Sequence, residues 1–137
     1  MVAARPRQSA KTPEVSVLVL HSERRVRHLI AESAPQDHFA VSFAEGADQF
    51  ERYLEETGAF DAILIGLTEP VETDLDLIHQ VKSHCPNALV VFLCSAADKH
   101  WSLEALRRGA YDILAQPVDR VELKRILFNI LERARHQ

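Results

Sequence analysis

The sequence predicts an α/β fold built around one five-stranded parallel sheet, and three observations predict it. Short apolar, β-branched runs alternate five times with amphipathic stretches of ten or more residues, the pattern of βαβ units. Three of those runs, Val15–Leu20, Ala62–Leu67 and Leu89–Cys94, are almost continuously apolar, as strands covered on both faces must be. A length of 137 residues with 47% hydrophobic and 26% charged side chains suits one domain that buries about two-thirds of its unfolded surface.

The elements follow in order. The first strand, Val15–Leu20, leads into a helix over residues 23–33. The second strand, 38–43, is more polar than the others, which makes it an edge. A helix over Ala47–Glu56 precedes the third strand, Ala62–Leu67, and a helix over 74–84 precedes the fourth, Leu89–Cys94. The fourth helix, 99–108, is stopped by Gly109, with Arg107 and Arg108 at its negative end. The fifth strand spans 111–115. After Pro117, Asp119 and Glu122 have the spacing of a capping box that opens a helix over 119–135. Its residues Leu123, Ile126, Leu127, Ile130, Leu131 and Ala134 form one apolar stripe, and Arg120, Lys124 and Arg133 form a basic face.

Charge and composition exclude several function classes. Residues 1–13 carry Arg5, Arg7 and Lys11, two prolines and no acid, and read as a disordered basic tail before a domain over 14–137. No apolar stretch reaches the roughly 18 residues of a membrane helix, and residues 1–13 lack the hydrophobic segment of a secretory signal. The expected location is cytoplasmic. Cys85 and Cys94 show no CxxC or His/Cys ligand spacing, so reduced structural thiols are expected. The net charge of −4 conceals a division: residues 45–76 hold ten acids and one base, whereas 99–135 hold eight bases and five acids. An acidic side and a basic side suit a docking module better than a nucleic-acid surface.

Four stretches carry a family resemblance. Val17-Leu18-Val19-Leu20-His21-Ser22-Glu23 resembles an apolar first strand that ends in two acids and a third acidic residue, with only the third acid present. Asp61-Ala62-Ile63-Leu64-Ile65-Gly66, then Pro70 and Leu75-Asp76-Leu77-Ile78, resembles a third strand, phosphoacceptor loop and third helix. Residues 90–96 resemble a fourth strand with its terminal hydroxyl residue and small neighbour, here Ser95 and Ala96. Gly109-Ala110-Tyr111-Asp112-Ile113-Leu114-Ala115-Gln116-Pro117 is similar to a fifth strand and its Lys-Pro step, with Gln116 in the lysine slot. Together they resemble the receiver domains of two-component response regulators. The resemblance implies a single doubly wound, flavodoxin-like sheet with strand order 2-1-3-4-5 and helices on both faces. It also implies a site at the carboxyl ends of strands one, three and five.

In that family an aspartate carboxylate attacks phosphorus, while Mg²⁺ held by neighbouring carboxylates and a lysine neutralise the phosphoryl oxygens. Here Gly66 stands in the nucleophile slot, His21 and Ser22 in the acidic-pair slots, and Gln116 in the lysine slot. The first has no side chain, the pair offers one hydroxyl and one imidazole, and the last carries no charge. These replacements are mutually consistent, because like charges about 4 Å apart repel by roughly 4 kcal/mol at an effective dielectric near 20. Asp61 lies five residues before Gly66, about 16 Å toward the other end of the sheet. Glu23 and Glu69 read as a first-turn helix acid and a solvated loop acid. His21 would be the one acceptor or transition-metal ligand at the strand end, but no second histidine or cysteine converges on it. His79 and His84 are five apart, not on one helical face. Ser95 keeps the switch hydroxyl, whereas Ile113 stands where the resemblance implies a switch aromatic.

The reading that follows is a non-phosphorylatable pseudo-receiver. It would be a protein-interaction or regulatory module of bacterial signal transduction, not an enzyme, with no cofactor and no metal. The resemblance implies docking through the fourth helix, fifth strand and fifth helix, with Trp101, Arg107, Arg108, Arg120 and Lys124 on or near that surface. Trp101 has a second reading, packing at the start of the fourth helix. Partners would be another protein, a second copy or a fused output domain. Two alternatives stay open: a small-ligand or nucleotide sensor using the crevice, and a phosphorylated regulator with an unorthodox acceptor. The first lacks a GxGxxG or GxxxxGK loop after the first strand.

Overall fold

The computed structural model describes residues 13–56 and 59–136. Five parallel strands form one sheet in the order β2-β1-β3-β4-β5: β1 Val15–Leu20, β2 Phe39–Ala44, β3 Ala62–Leu67, β4 Leu89–Cys94 and β5 Asp112–Ala115. The helices are α1 Arg24–Ser33, α2 Ala47–Glu56, α3 Asp76–His84, α4 Lys99–Arg107 and α5 Arg120–Arg135. Two apolar cores follow. Ile30 and Ala34 at α1 and Leu123, Ile126, Leu127, Ile130 and Leu131 of α5 cover one face of the sheet. Phe50 and Leu54 of α2, Ile78 and Val81 of α3 and Trp101 and Ala105 of α4 cover the other. The apolar stripe of α5 is therefore a packing face, and β2 is an edge as its polarity predicts.

Most of the differences from the sequence reading lie at element ends. β2 is one residue later than predicted, because His38 donates its N–H to Pro35 O in the preceding turn (3.0 Å). Tyr111 precedes β5, although its N–H still reaches Val90 O at 2.7 Å. The predicted third helix starts as a 3-10 turn over Glu72–Leu75, held by Val71 N–H on the Asp74 carboxylate (2.7 Å). Glu23 and Asp119 are cap residues rather than helical ones. Asp119 caps α5 by accepting from Val121 N–H (2.9 Å), while Glu122 turns to Arg125 (3.0 Å), so the capping box predicted there does not form. Gly109 has φ +116° and closes α4 in a Schellman motif, with Ala110 N–H on Ala105 O and Gly109 N–H on Leu106 O. The tail predicted over 1–13 lies, except for Pro13, outside the described residues.

Candidate functional site

Sheet register alone brings the site residues together. Leu20 of β1 is level with Ile65 of β3, so the next residues, His21 and Gly66, stand side by side at the carboxyl end. Gly66 is level with Leu93 of β4, and Cys94 with Ala115 of β5. Ser95 and Gln116 therefore follow at the same height.

His21 is 6% exposed, and both of its ring nitrogens are engaged. Glu23 N–H points at Nδ1 (3.1 Å), so Nδ1 accepts. The proton of a neutral imidazole then sits on Nε2 and is donated to Gln116 Oε1 at 2.8 Å. That contact fixes the orientation of the Gln116 amide, whose Nε2 donates to Leu93 O (3.0 Å) and reaches Leu67 O and Ser95 Oγ (3.4 Å each). The ring leans over Gly66. A Cβ at that position would lie 2.7 Å from His21 Nε2 and 2.9 Å from Cγ, and nearer still to Cδ2. Glycine is required here by a neighbouring ring, not by its backbone conformation. The Gln116–Pro117 peptide bond beyond the amide is cis.

Other candidates fall outside this cluster. Ser22, Glu23 and Glu69 are exposed. Asp61 is at the opposite end of the sheet, where its carboxylate accepts from Ser16 N–H at 2.8 Å. Cys94 is buried at the end of β4, and burial, with Asp74 adding to it, pushes its thiol up to about 11, which keeps it protonated and unreactive at neutral pH. Among the described residues no three His, Cys, Asp or Glu side chains converge to hold a metal.

On the docking side the structure favours the second of the two readings of Trp101 and divides the basic residues. Trp101 is 5% exposed. Its ring packs edge-on against Phe92 at 5.1 Å and its Nε1–H donates to Val71 O at 2.9 Å, so it packs into the core at the start of α4 and leaves only an edge in the cleft it lines with Val71, Asp98 and His100. Arg107 and Arg108 are exposed on α4, sharing Glu104 at 2.9 and 3.0 Å. Arg108, with Arg107 assisting, draws the Glu104 carboxyl below its ordinary range. Arg120 pairs with Glu32 of α1 (3.5 Å), whereas Arg125 pairs with Asp112 of β5 (3.6 Å). Arg120 thus lies on the flank of α5 away from β5. Lys124 is exposed. The sequence reading missed the exposed apolar residues Leu103 and Leu106 on α4 and Val121 and Phe128 on α5. Their signal was available, since Val121 and Phe128 fall outside the α5 stripe. Between α4 and β5 a groove of about 380 Å³ is lined by Ser95, Ala97, Ser102, Leu106, Asp112 and Ile113, among others.

Residues 17–128 match the response regulator receiver domain family. The chain belongs to that family. This receiver domain is 30% identical over 74 residues to the regulatory protein LuxO of Vibrio vulnificus, covering 54% of the chain and 16% of that relative. It is 25% identical over 119 residues to the DNA-binding transcriptional regulator NtrC of Azospirillum brasilense, covering 87% of the chain and 24% of the relative. The receiver domain thus spans less than a quarter of the length of either. A response regulator from Thermotoga maritima has the same fold, with a TM-score of 0.74 at 22% identity, covering 88% of this chain and 98% of that one. The strand order expected from the resemblance is the one observed. Among the described residues no helix is long and apolar enough to cross a membrane.

Proposed function

We propose that this receiver domain is a pseudo-receiver, a docking module of bacterial two-component signalling that takes no phosphoryl group. The observation that carries the reading is the His21 ring in the space that any side chain at position 66 would need. An aspartate there would meet an imidazole already held at both nitrogens. Its charge would also have no lysine partner, because Gln116 stands in that slot and is spent on His21 and Leu93 O. A hard cation would find a neutral ring and the exposed Ser22 hydroxyl where it needs carboxylate oxygens.

In this reading residues 14–137 form the docking unit, residues 1–13 are a basic tail, and the module acts in the cytoplasm without cofactor or catalysis. Its docking face is α4–β5–α5, presented to another protein, a second copy or an output domain of a longer chain. Exposed Leu103 and Leu106 beside Arg107 and Arg108 supply an apolar patch with a basic border, the composition of a binding surface. The test is incubation with acetyl phosphate, or with beryllofluoride, in the presence of Mg²⁺. Trp101 reports through its hydrogen bond to the β3–α3 loop, and intact mass reports any adduct. No added phosphoryl mass and no saturable fluorescence change are expected; either one would overturn the proposal.

A further inference from the structure

Gln116 follows the last residue of β5, yet its side chain touches the ends of three other strands. Its Oε1 accepts from His21 beyond β1 at 2.8 Å. One Nε2–H donates to Leu93 O of β4 at 3.0 Å, and the other is shared between Leu67 O of β3 and Ser95 Oγ at 3.4 Å each. The main chain repeats the tie, with Gln116 N–H on Cys94 O at 2.8 Å. The loop after β4 is pinned again by Ser95 N–H on Leu67 O (3.2 Å) and Ala96 N–H on Thr68 O (2.9 Å). Behind the amide, the buried His21 ring is wedged against Gly66. Ser95 is exposed and Gln116 half-buried, but moving the Ser95 loop would pull Ser95 N–H off Leu67 O and Ala96 N–H off Thr68 O and disturb the amide that the buried His21 holds, a set of linked bonds that is costly to open together. Ile113, β-branched, half-buried and packed against the core, has little rotamer freedom to assist the movement.

We propose that His21 and Gln116 form a built-in latch. It holds the β4–α4 loop, and with it the α4–β5–α5 face, in one conformation that the fold sets and no bound group changes. The latch rests on the pseudo-receiver reading in one respect: it occupies the place a phosphoryl group and its lysine would take. A switch needs an element with two packings of similar energy, and the latch removes one of them.

Relaxation-dispersion NMR and amide hydrogen exchange on the full chain test this, in the wild type, Gln116→Met and His21→Phe. Methionine keeps the length of glutamine without its amide, and phenylalanine keeps a flat ring, one atom larger, without nitrogens. The wild type should show no microsecond-to-millisecond exchange at Ser95, Ala96, Ala97 or α4. Both variants should show such exchange, with Ser95 and Ala96 amides exchanging hydrogen about tenfold faster or more relative to Val17 of β1. Dispersion in the wild-type loop overturns the latch even if neither variant folds, and so do folded variants whose loop behaves as in the wild type. Phosphoryl labelling of the wild type would instead remove the pseudo-receiver reading, whereas a mobile wild-type loop without labelling removes the latch alone.

Discussion

The two ends of the sheet handle polar residues in opposite ways. At the amino end charges are kept and paired. Glu14, just before β1, bonds Arg135 of α5 at 2.9 and 3.1 Å and His38 before β2 at 2.8 Å, and Asp61 binds the Ser16 N–H. At the carboxyl end the side chains that meet are neutral: an imidazole donating to an amide, over a glycine. Exposure accounts for the difference. The Glu14 and Arg135 side chains are 39% and 41% exposed, where water shares the cost of charge. His21 is 6% exposed, where an unpaired charge would be costly. A buried imidazole with no carboxylate beside it is stable when it is neutral and both ring nitrogens are satisfied, as the contacts to Glu23 N–H and Gln116 Oε1 arrange.

The largest effect that sharpens this contrast should come from one methyl group. Gly66→Ala puts a Cβ into the His21 ring, and overpacking of this kind costs about 1–3 kcal/mol. Chemical denaturation should show that loss in the wild-type background and much less of it beside His21→Gly, a non-additivity that equal costs in both backgrounds would contradict. By the same steric argument, Gly66→Asp should destabilise the domain without creating an acceptor. At the amino end, Asp61→Ala removes the acceptor of the Ser16 N–H and should cost about 1 kcal/mol by urea denaturation. Asp61→Asn, which keeps an acceptor oxygen, should cost less.

A smaller effect is a pH dependence. The Arg135 hydrogen bond first, and then that of His38, lowers the Glu14 carboxyl from 4.5 to about 2. Because the folded value lies below the unfolded one, the stabilisation is fully present above pH 4.5 and is lost as pH falls through about 2. The stability difference between wild type and Glu14→Gln should thus shrink as pH falls below 4.5. A difference that stays constant into acid would detach the pair from stability. Smallest of all is Arg107→Ala. Its guanidinium is exposed and Glu104 keeps Arg108, so thermal melting should not move measurably, while binding of a partner at α4 should weaken.

Sequence pattern conveyed the sheet well because burial on both faces writes continuous apolar runs. β1, β3 and β4 have the predicted limits, as does α2. It was weaker at helix starts, where a 3-10 turn at Glu72–Leu75 takes the first two residues predicted for the third helix. Backbone groups there are satisfied by one side chain, Asp74, which periodicity does not register. The site was half legible. His21, Gly66, Ser95 and Gln116 sit at one end of the sheet as their order implies, but the ring filling the space over Gly66 is a contact between residues 45 positions apart. No local pattern encodes it. Trp101 carried a readable sign: Ala105, one helical turn on, marks the same buried face.

The contacts of His21 place its one ring proton on Nε2, facing Gln116, and leave Nδ1 to accept from Glu23 N–H. Long-range proton–nitrogen correlation NMR of histidine-labelled protein at pH 7 reads that state directly. An unprotonated Nδ1 and a protonated Nε2 are expected, unchanged when Mg²⁺ and beryllofluoride are added. A doubly protonated ring, a proton on Nδ1, or a His21 signal that shifts saturably with those additions would contradict it.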